Sequence, residues 1–302
     1  MCGIVGLLVK TSELRERLGE LMVPMLIGMS DRGPDSAGLA VFGDAAPEGM
    51  RKLSLYSGLT DDGEDFNWQG LAHELKTHLG VEPQRVTKGN HAVLSFALAP
   101  EAVRRWIKEH HPRLHILSTG RTMELYKDVG TPAQVCERYD FARLKGSHLV
   151  GHTRMATETA VTPDRAHPFT AGEDFCLVHN GSLSNPNGVR RKLEPRGIKF
   201  DTDNDTEAAC RFLEWRLREG DSLEAALKKG FDELDGFYTF LMGTPNHLAL
   251  IRDSFACKPA IVAETDDYVA ISSEFRSLAH LPGIKNANVF EPAPEQMYVW
   301  KA

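Results

Sequence analysis

Met1-Cys-Gly-Ile-Val-Gly-Leu-Leu-Val9 opens the chain, and from Ile4 to Val9 only Gly6 interrupts an apolar run. Residues 2–9 therefore read as a short buried strand. The run meets Lys10, Glu13, Arg15, Glu16 and Arg17 at once, so it is too short for a signal-peptide core or a membrane span. A small second residue permits removal of the initiator Met, after which Cys2 carries both a thiol and a free primary amine. An α-amino group titrates near ~8 and a thiol near ~8.5, so the amine can take the thiol proton at neutral pH. Gly3 and Gly6 let backbone approach a bound molecule closely. Taken alone, a Met-Cys start is more often a buried hydrophobe on a first strand. The case depends on what stands elsewhere in the chain.

Working outward, residues 14–29 carry the 3.6-residue apolar spacing of a helix, and 38–42 read as a second buried strand. Between them, Asp31-Arg-Gly-Pro-Asp-Ser-Ala-Gly38 is dense in Gly, Pro and Asp, a constrained loop of the kind that lines sites. From about 43 to 147 the pattern loosens. Residues 61–65 form an acidic turn, 71–79 and 100–110 look helical, and 91–98 looks like a strand; we read this stretch as an elaboration within a single domain spanning 1–302. Strand signals return at 149–153, 175–179, 237–242, 247–251, 268–272 and 296–300, with helices at 205–218 and 222–234. Many strands with few helices between them predict antiparallel sheets faced by helices, a layered α+β arrangement.

The 302 residues are 42% hydrophobic and 25% charged, enough for one large core or two modest ones. The formal net charge of -7 argues against a nucleic-acid partner, whose affinity depends on phosphate neutralisation by clustered Lys and Arg. The sequence reads as cytoplasmic, with no membrane association. Its five cysteines, Cys2, Cys136, Cys176, Cys210 and Cys257, are odd in number and scattered without a CxxC pair, so neither a disulfide framework nor a metal cluster is signalled. His111 and His115 have the spacing of a helical metal pair beside His110, but Pro112 breaks the helix between them. No metal is expected.

Chemistry-bearing residues gather at the ends of predicted elements. Gly151-His-Thr-Arg154 runs from an apolar strand into polar residues, and the planar fork of Arg154 suits a carboxylate. His179-Asn-Gly181 ends a strand with a side-chain amide and a backbone N–H, a pair able to form an oxyanion hole. Asp205-Thr-Glu207 opens a helix with carboxylates, one of which can hold an ammonium group. Each has a bland alternative: a surface ion pair, a turn, a helix cap. Together they describe an amino-acid site beside a thiol.

With Cys2-Gly-Ile4 and Arg32-Gly-Pro-Asp-Ser36, these motifs resemble the class II glutamine amidotransferase family over most of the chain. Arg252-Asp253, Lys258-Pro259 and Ser272-Ser-Glu-Phe-Arg-Ser-Leu278 resemble that family's second half. The resemblance implies a four-layer αββα N-terminal nucleophile hydrolase sandwich, with Cys2 as nucleophile and base. It further implies Asn180 and Gly181 as the oxyanion hole, Arg154 and Thr157 on the glutamine α-carboxylate, and Asp205 on its α-ammonium. Arg32, His152 and His179 would line the site, while His152 and His167 are more often hydrogen-bonded structural histidines. Met155 departs from the Trp or Tyr of better-known members, so a gate is not expected there.

The sequence contains no Gly-rich phosphate loop, phosphoribosyl-binding segment, sugar isomerase domain or ATP-pyrophosphatase loop. Gly151-His-Thr-Arg-Met-Ala-Thr-Glu-Thr-Ala-Val161 with His179-Asn-Gly-Ser-Leu-Ser-Asn185 resembles stand-alone subunits of the glutamate-synthase type, such as the amidotransferase chain of N-methylglutamate synthase (methylamine–glutamate N-methyltransferase) and GlxB-like proteins. That resemblance implies two partner chains in a hetero-oligomer. One is a β-helix chain of the Gly-x-Gly-x-Gly type, the other a synthase chain carrying FMN and iron–sulfur clusters; no cofactor is expected on this chain. Two rivals stand beside it: an N-terminal nucleophile amidase acting on other acyl amides, and a catalytically silent scaffold of the same complex.

Overall fold

The computed structural model describes residues 2–58, 65–155 and 162–302; most of the predicted acidic turn lies outside them. β1 (Gly3–Val9) is buried at every position. Its Val5, Leu7 and Val9 enter one core while Ile4 and Leu8 enter another. Alternate side chains thus leave opposite faces into apolar surroundings, which explains the unbroken hydrophobic run. β1 pairs antiparallel with β8 (His148–Arg154) and β14 (Tyr268–Ser272). Beyond β8 lie β2 (Ser36–Phe42) and β7 (Met123–Val129), and beyond β14 lie β13 (Ile261–Glu264) and β15 (Asn288–Phe290), completing seven strands.

On one face sit α2 (Leu18–Ile27) and α5 (Pro132–Arg138), whose Met22, Leu26 and Val135 pack on Val5, Leu7 and Leu39. The other face meets a second sheet ordered β16 (Met297–Lys301), β12 (His247–Arg252), β11 (Gly236–Thr244), β10 (Phe175–Leu183) and β9 (Phe169–Ala171). Ile4, Leu8 and Val150 pack there against Val178, Leu241 and Leu250. A Cβ on Gly6 would lie 2.8 Å from the Leu241 side chain, so the glycine marks a place where the sheets approach closely. The far face is covered by α6 (Pro186–Leu193), α7 (Asp205–Arg218) and α8 (Leu223–Glu233), with Phe212 and Leu227 against Leu177 and Phe240. Helix, sheet, sheet, helix is the expected αββα order.

The loosely patterned stretch builds a third sheet, ordered β4 (Gln84–Lys88), β5 (His91–Phe96), β3 (Arg51–Tyr56) and β6 (His115–Gly120). With α3 (Trp68–Leu79) and α4 (Pro100–His110) it encloses a separate core around Leu53, Leu71, Leu94, Trp106 and Ile107. The chain then rejoins the first sheet through β7. Edge strand β4 is exposed along most of its length, which is why Gln-Arg-Val-Thr-Lys shows no strand periodicity.

The single helix expected at 14–29 is two. α1 (Ser12–Glu16) and α2 part at Arg17, whose ψ of 10° leaves the helical region. Gly19 explains the turn: its N–H donates to the Leu144 carbonyl at 2.8 Å, and a Cβ there would meet the Phe141 carbonyl at 2.0 Å. α2 is aimed to lie flush on the 141–144 segment. The strand expected at 91–98 ends at Phe96. Among the described residues no helix is long and apolar enough to cross a membrane.

Candidate functional site

Cys2 precedes the first residue of β1 and is partly exposed. Gly3 pairs with Thr153, and one step further along the same register places Cys2 opposite Arg154 at the end of β8. The Cys2 carbonyl accepts two hydrogen bonds, from Arg32 Nε at 3.0 Å and from Asn180 Nδ2 at 3.2 Å. Arg32 is itself buried, and its Nη1 meets Glu274 Oε1 at 3.1 Å. Two residues on, the Ile4 N–H donates to Ser273 Oγ at 3.0 Å and the Ser273 N–H donates to the Ile4 carbonyl at 3.1 Å. Three remote segments thereby fix the start of the chain.

Local sequence explains each approach. In the Arg-Gly-Pro-Asp-Ser loop, a Cβ on Gly33 would sit 2.5 Å from the Arg154 amide nitrogen, so only glycine lets the loop lie against the end of β8. The Asp35 N–H donates to the Arg154 carbonyl at 3.1 Å, closing the same contact. Gly181 has φ of +146°, and a Cβ there would fall 2.0 Å from the Phe237 carbonyl. Its antiparallel partner Tyr238 turns its carbonyl the other way, to the Asp253 N–H at 3.1 Å. The Gly181–Tyr238 pair is therefore of the non-hydrogen-bonded kind, and the Gly181 N–H is left facing away from β11.

Asp205 is the first residue of α7, whose N-cap Asn204 accepts from the Thr206 N–H at 2.8 Å. Its Oδ2 accepts from the Leu183 N–H at 2.9 Å, tying the helix start to the end of β10. Burial opposes ionisation of Asp205, but His179 and the Leu183 and Thr206 N–H groups outweigh it and hold the carboxyl below its ordinary 3.8. It is a carboxylate at neutral pH. Beneath it, Thr206 Oγ1 meets His179 Nδ1 at 3.0 Å and His167 Nε2 at 2.9 Å. His152 stacks on His167 with ring centroids 4.0 Å apart, and its Nε2 donates to the His179 carbonyl at 3.1 Å. Burial pushes His152 down to about 3 and His167 well below its usual range, so both rings are neutral.

The structure thus gathers Cys2, Arg32, Arg154, Asn180 and Asp205 around the start of β1, the end of β8 and the last residues of β10, with Gly181 adjoining, while His152 and His179 lie buried beneath. Asn180 and Gly181 do not end their strand as expected but lie within β10, which stays paired with β11 to Leu183. Thr157 lies outside the described residues. Sequence reasoning passed over Ser273 and Glu274, although the segment holding them was noticed, and it passed over Thr206. Glu207, the third member of its motif, faces away: its carboxylate accepts from the Asp201 and Thr202 N–H groups at 2.8 and 2.7 Å and shapes the loop before α7.

The glutamine amidotransferase domain family matches residues 152–280. The glutamine amidotransferase-like protein GlxB of Rhizobium meliloti (strain 1021) is 47% identical over 301 residues, covering 99% of this chain and 98% of its own length. Among solved structures, glutamine phosphoribosylpyrophosphate amidotransferase from B. subtilis, complexed with ADP and GMP, superposes with a TM-score of 0.62 at 18% identity, covering 99% of this chain and 47% of that one. The allosteric regulatory enzyme of purine biosynthesis gives 0.63 at 18%, covering 99% and 46%. The chain spans about half the length of these two, and at such identity they speak to the fold alone. Likeness to GlxB from end to end, on this fold, shows that the chain belongs to the class II glutamine amidotransferase family.

Proposed function

We propose that the chain is a glutaminase subunit in which Cys2, once Met1 is removed, attacks the side-chain amide of glutamine. The observation that carries this reading is the double hold on the Cys2 carbonyl by Arg32 and Asn180, which presents the thiol and amine of one residue to the cluster above. The Cys2 amine takes the thiol proton, and sulfur adds to the amide carbon. Asn180 keeps one amide N–H on the Cys2 carbonyl and turns the other, with the Gly181 N–H, to the developing oxyanion. The C–N bond breaks, the amine returns its proton to the leaving nitrogen, and ammonia departs from a γ-glutamyl thioester. Water then cleaves the thioester to glutamate and free thiol. Arg154 and Thr157 take the substrate α-carboxylate, and ionised Asp205 takes the α-ammonium.

The ammonia is used within a glutamate-synthase-like complex of the N-methylglutamate synthase kind, in the cytoplasm. Its partners are a Gly-x-Gly-x-Gly β-helix chain and a chain with FMN and iron–sulfur clusters. Support comes from the motif string of 151–161 with 179–185.

Glutaminase turnover of the wild type and of Cys2→Ala, beside a panel of acyl amides, tests the chemistry, with intact mass establishing that the active chain begins at Cys2. Undiminished turnover in Cys2→Ala, or acyl-amide hydrolysis with glutamine untouched, would overturn it. Affinity purification from the native host tests the complex: a flavin-bearing partner supports it, and a lone chain with full glutaminase activity counts against it.

A further inference from the structure

The hold on Cys2 does not end at Arg32. The Arg32 side chain is 9% exposed, and among the described residues its guanidinium makes two hydrogen bonds, from Nε to the Cys2 carbonyl at 3.0 Å and from Nη1 to Glu274 Oε1 at 3.1 Å. Nη2, also buried, makes none. Two contacts fix the plane of the fork, and one alone would let it turn about the remaining hydrogen bond. Glu274 is shared in its turn. Its Oε2 accepts from Arg276 Nε at 2.8 Å, and Arg276 Nη2 lies 3.0 Å from Asp31 Oδ2. Charges thus alternate from buried Arg32 through Glu274, 31% exposed, to Arg276 and Asp31, 52% and 80% exposed. The local backbone keeps Glu274 in place: its N–H donates to Ser272 Oγ at 3.2 Å, and its carbonyl accepts from Ser277 Oγ at 2.9 Å.

The exposed outer pair, Arg276 with Asp31, contributes little by itself. The inner pair differs, because a buried guanidinium that loses its carboxylate keeps an uncompensated charge with only a carbonyl to answer it. We propose that Glu274 is a positioning residue for Cys2 that acts through Arg32, orienting the guanidinium so that the Cys2 carbonyl, and with it the thiol and the amine, is held for attack. This rests on the reading of Cys2 as the nucleophile. Glu274 itself makes and breaks no bond in the reaction. Glu274→Gln is the discriminating change: the side chain keeps its shape, but an amide offers one acceptor and one donor group where the carboxylate offers two acceptors. It can satisfy Arg32 or Arg276 and not both.

The test uses full chains whose intact mass begins at Cys2 and compares wild type, Glu274→Gln and Arg276→Gln. In Glu274→Gln, kcat for glutamate release and the rate of iodoacetamide alkylation, read at the Cys2 peptide by mass, should fall together. Each should drop about tenfold, the value of one charge-assisted hydrogen bond. KM for glutamine should stay within about threefold, because Arg154 and Asp205 are untouched. Arg276→Gln leaves Glu274 on Arg32 and should cost less than about threefold in either rate. A Glu274 that merely braces the fold would lower the melting temperature in Glu274→Gln and leave kcat and alkylation of the folded protein at wild-type values. That outcome would overturn the proposal, as would a raised KM at unchanged kcat, or a loss in Arg276→Gln as large as in Glu274→Gln. A wild type that turns over no glutamine sinks the glutaminase reading instead, and the alkylation rates then decide the role of Glu274 on their own.

Discussion

On the proposed mechanism, replacing Asn180 by Ala separates holding the nucleophile from stabilising the transition state. Asn180 is 3% exposed and one of its amide N–H groups reaches the Cys2 carbonyl. Losing that hydrogen bond, with the small void left behind, should cost about 1–3 kcal/mol of stability. The Cys2 carbonyl keeps its second donor, Arg32, so the thiol stays in place. The loss should fall on the step in which negative charge develops on oxygen, where one donor is worth roughly 3–4 kcal/mol, or about 10²–10³ in kcat. KM for glutamine should move by no more than about threefold, because Arg154 and Asp205 are untouched. The assay is steady-state glutamate release, paired with the rate at which iodoacetamide alkylates Cys2 in each protein. Reduced kcat with unchanged alkylation is the expected result. A kcat within about fivefold of wild type would remove Asn180 from the oxyanion hole, and equal losses in turnover and alkylation would make it a holder of Cys2 only.

Asp205→Asn keeps an acceptor for the Leu183 N–H but removes the charge, so KM for glutamine should rise roughly 10–100-fold with a smaller change in kcat; an unchanged KM would place the substrate ammonium elsewhere. His91, His148 and His152 are held at about 3 by burial and His167 well below its ordinary 6.5, so between pH 6.5 and about 3 the unfolded chain binds protons that the folded one refuses. Stability present above pH 6.5 should therefore fall with acidification, by about 1.4 kcal/mol per pH unit per histidine and about 5 for all four at mid-window; urea titrations showing a flat profile from pH 6.5 to 4.5 would contradict this. Gly38→Ala would drive a Cβ to 2.1 Å from the His167 carbonyl and should destabilise by about 3 kcal/mol or more. Gly188→Ala, in α6 with nothing nearer than 3.9 Å, should stabilise by about 0.5–1 kcal/mol; equal melting temperatures for the two would refute the packing argument.

What was legible in the sequence follows from the range of the forces involved. β1 and β8, apolar on both faces because each face enters a core, announced themselves, and Cys2 and Arg154 stand at their ends; Asn180 sits inside β10, which runs on past the strand end expected at 179, and Asp205 opens α7. β3, β4 and β6 did not, since their side chains face a small separate core or solvent and lack a clear period. The break at Arg17 was invisible because its cause, Gly19 docking on Phe141 and Leu144, lies more than a hundred residues away in sequence. Glu274 and Ser273 were hidden for the same reason: Arg32 and Glu274 are 242 residues apart, and nothing local signals that they meet. Thr206 looked like an ordinary first-turn residue until two imidazoles were found on its hydroxyl.

The hold on the Cys2 carbonyl also governs what a folded preparation is worth. Arg32 and Asn180 grip an atom on the far side of the residue from its amino group, so neither contact depends on whether Met1 is still attached. On the proposed mechanism, a chain that escapes the aminopeptidase should melt and elute like its processed sibling, yet with its amine locked in a peptide bond it lacks a base. Specific activity then reports the maturation history of a sample as much as the quality of its fold, and two preparations with the same melting and elution behaviour can differ in turnover by whatever fraction still begins with methionine.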